Sequence, residues 1–518
     1  MEATRPNGEP SLLFALLAAQ ADLTAVEQFA RRHDAAEIPE TARRYRELIP
    51  RSLPGAGQQY AFEVDLDLCT GCKACVTGCH SLNGLDDGEV WRTVGLLHGG
   101  GPGRPSLQTV TTSCHHCLEP GCMSGCPVNA YEKDPITGIV KHLDDQCIGC
   151  GYCVFMCPYD APKYSAARGI VRKCDMCSDR LAHGEAPACV QSCPNEAIRI
   201  TVADQSAAVE AAEAGVFLPG APSPAVTLPS TVYRSARPLP RNLLPADLRA
   251  LRPEPAHPPL SLMLVLTQLS VGAFAIDWAM GTRAIAGAAV ALALGLAALG
   301  ASLLHLGRPR YAWRAVLGVR TSWLSREILG FGLFATLASA YVASLVVAAP
   351  VSGLELAAFA SGLAGVGASV MVYVATGRAV WGPAATGARF FLSTAVLGLA
   401  TIALTVTEPV PRILLVLAGV TAVKLAIETA RLRHLGSRTT TPLERSARLL
   451  VGPLRRMMTL RLACGALGGV ALPIGAALSG GGVAAAGAIF VLTLAGELLE
   501  RHLFFVAAAA PRMPGAQA

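Results

Sequence analysis

The sequence predicts a two-part fold, an α+β domain rich in metal ligands followed by an all-α bundle of eight membrane-spanning helices, on three observations. Sixteen of the seventeen cysteines lie between Cys69 and Cys193. The hydrophobic excess is concentrated after about Leu260, in a chain of 518 residues that is 52% hydrophobic and only 15% charged, with a mean hydropathy of +0.42. A stretch rich in Pro and Ala separates the two parts. This composition excludes a wholly soluble enzyme and a disordered chain alike. The net charge of +6 comes mostly from Arg. In the second half the arginines sit in gaps between apolar runs, where membrane topology explains them. No basic patch with interleaved aromatics occurs, so nucleic acid is not an expected partner.

The division read from the sequence is an N-terminal helical extension over 1–58, a cysteine domain over 59–206, a linker over 207–259, the membrane bundle over 260–509 and a tail over 510–518. Within the extension, Ser11 to Arg32 reads as an amphipathic helix, with Leu12, Leu16, Ala19, Leu23, Val26 and Phe29 on one face. The short apolar run Leu12 to Ala19 lacks the basic leader of an export signal.

The cysteines fall into four tight groups: Cys69, Cys72, Cys75, Cys79; Cys114, Cys117, Cys122, Cys126; Cys147, Cys150, Cys153, Cys157; and Cys174, Cys177, Cys189, Cys193. Disulfide frameworks scatter their cysteines instead. Each group ends in C-x-x-x-C, and the last three end in Cys-Pro. In such runs three close thiolates wrap one cube of iron and sulfide, and the fourth ligates a neighbouring cube. Sixteen thiolates at four per cube give four [4Fe-4S] clusters with none left over. Zinc competes, because C-x-x-C pairs also make tetrahedral sites, but zinc modules rarely use this longer pattern. Clusters staple a domain with a small core, yet four in roughly 125 residues exceed that need. Closely spaced redox centres conduct electrons. The expected fold is therefore an α+β ferredoxin-like poly-[4Fe-4S] domain. Lys73, His80, His115, His116, Arg172 and Lys173 stand beside ligands, where charge or hydrogen bonding raises a cluster's potential; each reads equally as an ordinary neighbour.

Eleven prolines between Pro219 and Pro259 mark the linker as a semi-rigid strap. Apolar runs of membrane-spanning length then cover Leu260 to Met280, Ala284 to Leu304, Glu327 to Ala348, Leu354 to Thr376, Phe390 to Thr407, Ile413 to Thr429, Leu460 to Ser479 and Val483 to Phe505. Small residues recur along them, which favours close packing. Lys424 and Glu428 in the sixth run are spaced to pair with each other. Arginines follow runs two, four, six and eight, with Arg512 alone after the last, while the alternate loops carry only Arg283 and Arg412. Positive charge stays on the cytoplasmic side. The expected topology in the cytoplasmic membrane is multi-pass, with both termini and the cluster domain on the cytoplasmic face.

A membrane arm coupled to an iron-sulfur wire needs a lipid-soluble electron carrier, and quinone is the usual one. His305 closes run two and Ser322 to Glu327 open run three, both on the cluster face. His305 can hydrogen-bond a quinone oxygen and accept its proton, and a partly buried Glu327 can relay it. Arg308, Trp323 and Arg326 complete the candidate cofactor-binding set, the two arginines able to hold negative charge on the quinone. The plainer alternative makes Glu327 a dipole-favoured residue after a Ser325 cap. Only His257, His305, His434 and His502 occur in the second half, none mid-span, so no heme is expected.

The four cysteine groups, with Glu132-Lys133-Asp134-Pro135 and Cys157-Pro158-Tyr159-Asp160 between them, resemble the four-cluster electron-transfer subunit of dimethyl sulfoxide reductase and related molybdopterin oxidoreductases. The membrane half resembles their eight-helix anchor subunit, chiefly in His305-Leu306-Gly307, Ser322-Trp323-Leu324-Ser325-Arg326-Glu327 and Gly496-Glu497-Leu498-Leu499-Glu500-Arg501. The likeness covers about Tyr60 to Ala509, and two subunits that are usually separate stand here in one polypeptide. It implies menaquinol, with ubiquinol the other quinone, at His305 and Glu327, and a separate molybdopterin-containing catalytic subunit as partner. It also implies that Cys69, Cys72, Cys75 and Cys193 share a cube, as do Cys79, Cys174, Cys177 and Cys189; Cys114, Cys117, Cys122 and Cys157; and Cys126, Cys147, Cys150 and Cys153. The best-known dimethyl sulfoxide reductases work outside the membrane, whereas the arginine distribution predicts an inward-facing domain, so the terminal substrate is left open. The expected function is quinol oxidation, with electrons passing through four cubes to the catalytic subunit. Two alternatives are the same wire run from a substrate such as sulfite to quinone, and an iron-sulfur subunit of an ion-translocating complex.

Overall fold

The computed structural model describes Glu27 and residues 45–101, 103–281, 284–406, 411–437, 440–510 and 512–515. Apart from Glu27, the amphipathic helix read over Ser11 to Arg32 lies outside the described residues.

The first part is α+β, as expected. Strand β1 (Gln58–Asp65) pairs antiparallel with β8 (Ile198–Asp204), from Gln58 opposite Asp204 to Val64 opposite Ile198. The hairpin of β2 (Thr93–Gly101) and β3 (Arg104–Thr112) forms a second sheet. Two smaller hairpins, β4 (Tyr131–Lys133) with β5 (Val140–His142) and β6 (Lys163–Ser165) with β7 (Ile170–Arg172), stand on either side of the third cysteine group. The cores between these elements are built round thiols. One packs Tyr60, Phe62, Ile198 and Ile200 with Cys75, Cys79, Cys114, Cys174 and Cys189. Another packs Val128, Val140, Ile148 and Val171 with Cys122, Cys126, Cys147 and Cys153, and includes Ala315 from the membrane part.

The linker is more ordered than its prolines suggest. After a helix over Gln205–Glu213, its residues supply β9 (Val232–Arg234), parallel to β1, and β10 (Leu244–Pro245), antiparallel to β2. It ends at Pro258 and Pro259 in the first turn of a helix, where the missing N–H is not needed.

Eight helices among the described residues are long and apolar enough to cross a membrane: Pro258–Met280, Ile285–Leu303, Trp323–Val346, Leu354–Val374, Pro383–Thr405, Pro411–Gly436, Arg455–Ser479 and Val483–Val506, referred to as spans 1 to 8. Spans 3, 5 and 7 begin earlier than the apolar runs do. Hydropathy reads the stretch that suits lipid, whereas backbone hydrogen bonding continues the helix through Arg326, Arg389 and Arg455. Span 3 starts at Trp323 after Ser322, so Ser325 caps nothing and Glu327 lies beyond the first turn. Between spans 6 and 7 an amphipathic helix, Pro442–Val451, opens on an N-cap in which the Thr441 hydroxyl accepts from Glu444 N at 3.1 Å.

The two parts meet closely. Backbone N–H groups of Arg308 and Gly318 donate to Ile148 O at 3.0 Å and Pro127 O at 2.8 Å. Arg308 Nη1 donates to Asp144 O at 2.7 Å, Ser322 Oγ to Gly125 O at 2.7 Å and Tyr152 Oη to Val372 O at 2.8 Å. Gly307 abuts the backbone of Gly149 and Gly169, both at positive φ, and a Cβ there would collide with the Gly169 carbonyl. The tail also returns: Met513 is buried with Leu97 and Val110.

Candidate functional site

The cysteine loops turn into their short helices through left-handed residues, Lys73, Gly151 and Cys177, which fold each loop back on itself. None of the cysteines is in a disulfide. The electrostatic neighbours of the thiols cross the sequence groups. Cys69 faces Cys75 and Cys193, and Cys79 faces Cys177 and Cys189. Cys117 faces Cys114 and Cys157, and Cys150 faces Cys126 and Cys147. Burial pushes the Cys79 and Cys150 thiols up to about 12, and Cys157 and Cys189 up to about 11. Thiolates at these places therefore need positive charge held among them. Among the described residues no three Cys, His, Asp or Glu side chains converge as they would on a single ion. The donor set, thiols drawn from two sequence groups at each place, fits an iron-sulfur cube.

Other groups tune the sulfurs. Backbone N–H groups of Ala130, Gly149, Met176 and Ala197 donate to Cys126, Cys147, Cys174 and Cys193 sulfurs at 3.2, 3.4, 3.4 and 3.3 Å. Lys173, flagged by sequence, is buried beside Cys114, Cys122 and Cys174. Arg92, which sequence reasoning missed, is buried beside Cys75, Cys79, Cys174 and Cys189 and donates to Thr111 and Ser113 at 3.2 and 2.9 Å. His115 is held down to about 3 by burial and then by Arg92, so it is neutral.

At the junction a cleft of about 560 Å³ runs between the third cysteine group and the membrane arm. Cys150, Phe155, His257, Leu260, His305 and Trp381 line it, with Glu254, Arg378 and Arg512. Burial holds His305 down to about 4, keeping its imidazole neutral at physiological pH. Glu327 is not part of that lining. It is buried in span 3, where its carboxylate accepts from the Ser369 hydroxyl, with Tyr152 nearby. Arg308, Trp323 and Arg326 lie outside the cleft as well. Arg308 ties down the cluster domain, and Arg326 donates to Val319 O and Arg320 O at 3.0 and 2.8 Å while stacking on Trp323 at 4.3 Å. Among the cleft residues that sequence reasoning missed, Glu254, Arg378 and Arg512 come from the linker, the span 4–5 loop and the tail, and carry no shared sequence signal.

A second polar cluster fills spans 5 to 8. Arg461 grips both oxygens of Glu428 at 3.0 and 2.8 Å and reaches Glu497 at 3.0 Å. Lys424 pairs with Glu497 and donates to Ser393 at 2.7 Å. Arg389 meets Glu500 at 2.5 Å, and Arg501 donates to Gln268 at 3.0 Å. Lys424 and Glu428 stand 3.6 Å apart, as their spacing predicts, but each has a closer partner on another helix.

A thiol-lined domain seated on eight spanning helices defines a membrane-anchored, iron-sulfur electron-transfer protein. A family model described as a 4Fe-4S dicluster domain matches residues 106–203, and one described as the DMSO reductase anchor subunit (DmsC) matches residues 256–506. The B subunit of anaerobic dimethyl sulfoxide reductase from Escherichia coli (strain K12) is 38% identical over 148 residues, 27% of this protein and 72% of that one. The corresponding Haemophilus influenzae subunit is 35% identical over 157 residues, 29% of this protein and 76% of its own length. The formate dehydrogenase iron-sulfur subunit of H. influenzae is 34% identical over 153 residues, 26% of this protein and 49% of its own length. The protein belongs to the dimethyl sulfoxide reductase family, as a fusion of its iron-sulfur and membrane-anchor subunits, and is a multi-pass membrane protein.

Proposed function

We propose that this protein takes electrons from membrane quinol, menaquinol by its family likeness, and passes them through four [4Fe-4S] clusters to a separate molybdopterin-containing catalytic subunit. The observation that carries the reading is that Cys150 of the third group and His305 line one cleft, open between lipid-facing helices and the thiol-rich core. When bound, the clusters supply one-electron oxidation and reduction. The thiols hold them in the cross-paired sets that the family implies, with Cys126, Cys147, Cys150 and Cys153 nearest the membrane. Neighbouring thiols then lead outward: Cys174 faces Cys114, Cys189 faces Cys75, and Cys72 is exposed at the far end. That exposed end is where a catalytic subunit docks.

His305, neutral and lining the cleft, binds a quinol oxygen and takes its proton. Glu327, buried in span 3, takes the second. Arg308 acts by fixing the loop between spans 2 and 3 against the cluster domain, and Arg326 by bracing that loop on the start of span 3. The arginine distribution supports a cytoplasmic position for that domain and for both termini, which labelling of the amino end in sealed membranes tests. Ion translocation is a second reading, favoured by the buried charges of spans 5 to 8. There, each carboxylate is already matched to a cation, which suits a fixed scaffold better.

Mixing the purified complex with a menaquinol analogue and following cluster signals tests the proposal. Rapid reduction is expected, slowed by about 10²-fold or more in His305→Ala, the usual scale for loss of a positioned acid–base group. Unchanged kinetics in that variant contradict it.

A further inference from the structure

The cleft has a charged end that the quinol reading leaves without a task. Glu254, Asp160, Lys163 and Arg512 line it there, beside Tyr164, which is 46% exposed, so this end opens to water. The other end is apolar, with Leu260, Trp381 and Phe505 round His305 and His257. Glu254 is fixed from two sides. Its backbone N–H donates to Val506 O at the end of span 8 at 2.9 Å, and its carboxylate pairs with Arg512 of the returning tail. Asp160, the other carboxylate in the lining, pairs with Lys163 at 2.7 Å and stands 3.9 Å from Arg512.

We infer that Glu254, latched by Arg512, is the outlet through which a proton taken up by His305 leaves the cleft. The inference rests on the proposed quinol site. Oxidation of one quinol releases two electrons, which enter the iron-sulfur clusters one at a time, and two protons. One proton passes from the quinol hydroxyl to the His305 ring nitrogen, then by way of His257 or water to the Glu254 carboxylate, and from there to bulk solvent. His257 sits three residues from Glu254, packed edge-on to Phe155 and Phe505 at 5.3 and 5.4 Å, and lies close enough to His305 to disfavour its protonation. The groups facing Glu254 are Arg512 from the tail, Arg378 from the span 4–5 loop, Asp160 from the cluster domain and Arg445 from the helix Pro442–Val451. Burial outweighs the three guanidinium groups and raises its carboxyl above the ordinary carboxylate range. A carboxyl so placed accepts protons readily and releases them again. As pH falls through that raised value Glu254 fills with a proton and ceases to accept, so quinol-driven reduction slows on the acid side.

The test uses the full cluster-loaded protein, with its partner, in lipid vesicles and a menaquinol analogue. Glu254→Gln is expected to slow cluster reduction about tenfold or more, to abolish the acid limb of the pH profile and to leave KM for the analogue unchanged. Glu254→Asp restores most of the rate. Arg512→Gln, which removes a cation favouring the carboxylate, moves the acid limb to higher pH. An infrared band of a protonated carboxyl, titrating with the same limb, disappears in Glu254→Gln, and iron content verifies that each variant is assembled. A wild-type rate and limb in Glu254→Gln overturns the outlet, as does a loss of rate matched by a rise in KM with no movement of the limb in Arg512→Gln. If the wild type is not reduced by quinol, or His305→Ala is unaffected, the quinol site itself falls and the outlet with it.

Discussion

Spans 1 to 4 and spans 5 to 8 are built from equally apolar helices, yet they bury charge in different ways. The first four hold Asp277, Glu327 and Glu355 as buried acids, and among the described residues no buried Lys or Arg lies within them. The last four hold Arg389, Lys424, Glu428, Arg461, Glu497, Glu500 and Arg501 buried and tied across helices. A buried ion pair contributes little over an apolar replacement, but removing one partner strands the other. The network therefore fixes how spans 5 to 8 sit against one another. Glu327, by contrast, is met by the neutral Ser369 hydroxyl rather than by a cation.

The largest expected effect breaks the second half. Glu497→Ala leaves Lys424 and Arg461 without their shared acid and is expected to cost about 3–5 kcal/mol in reversible unfolding from mixed micelles. Glu327→Gln in the first half should cost within about 1 kcal/mol, while cluster reduction by quinol is lost. Equal losses of stability in the two variants would erase the distinction between the halves. Next in size is the junction of the first half with the cluster domain. Gly307→Ala drives its Cβ into the Gly169 carbonyl, an overpacking cost of about 1–3 kcal/mol that proteolysis between the domains and slower cluster reduction should reveal. The smallest is Tyr152→Phe, which removes the bond to Val372 O and should lower stability by about 1 kcal/mol.

What the sequence makes legible is whatever repeats at fixed spacing. The sixteen thiols stand out because they fall into four tight groups, and the eight spans announce themselves by length. His305 and Glu327 are readable as a pair because a short arginine-rich loop joins their helices, though only His305 proves to line the cleft. The rest is assembled from distant residues. Glu254, Arg378 and Arg512 meet from a linker, a loop and a tail, and none has a local pattern that names its neighbours. Arg92 is a lone arginine in sequence and becomes a buried counter-charge only when β2 and β3 fold over the thiols. Strands of two or three residues, such as β9 and β10, are too short for an alternating pattern, so their prolines suggest an open strap. Lys424 and Glu428 show the same limit: the local rule finds their contact, and tertiary packing supplies the stronger partners.

The central claim is that electrons pass between lipid and cluster domain at the third cysteine group. Cys150→Ser marks that cluster by changing its signal alone, and freeze-quenched electron paramagnetic resonance after mixing with a menaquinol analogue then times it against the others. The altered signal is predicted to rise first, followed by those nearer the exposed Cys72. A first signal from the Cys72 end, with the marked cluster last or silent, would contradict the account.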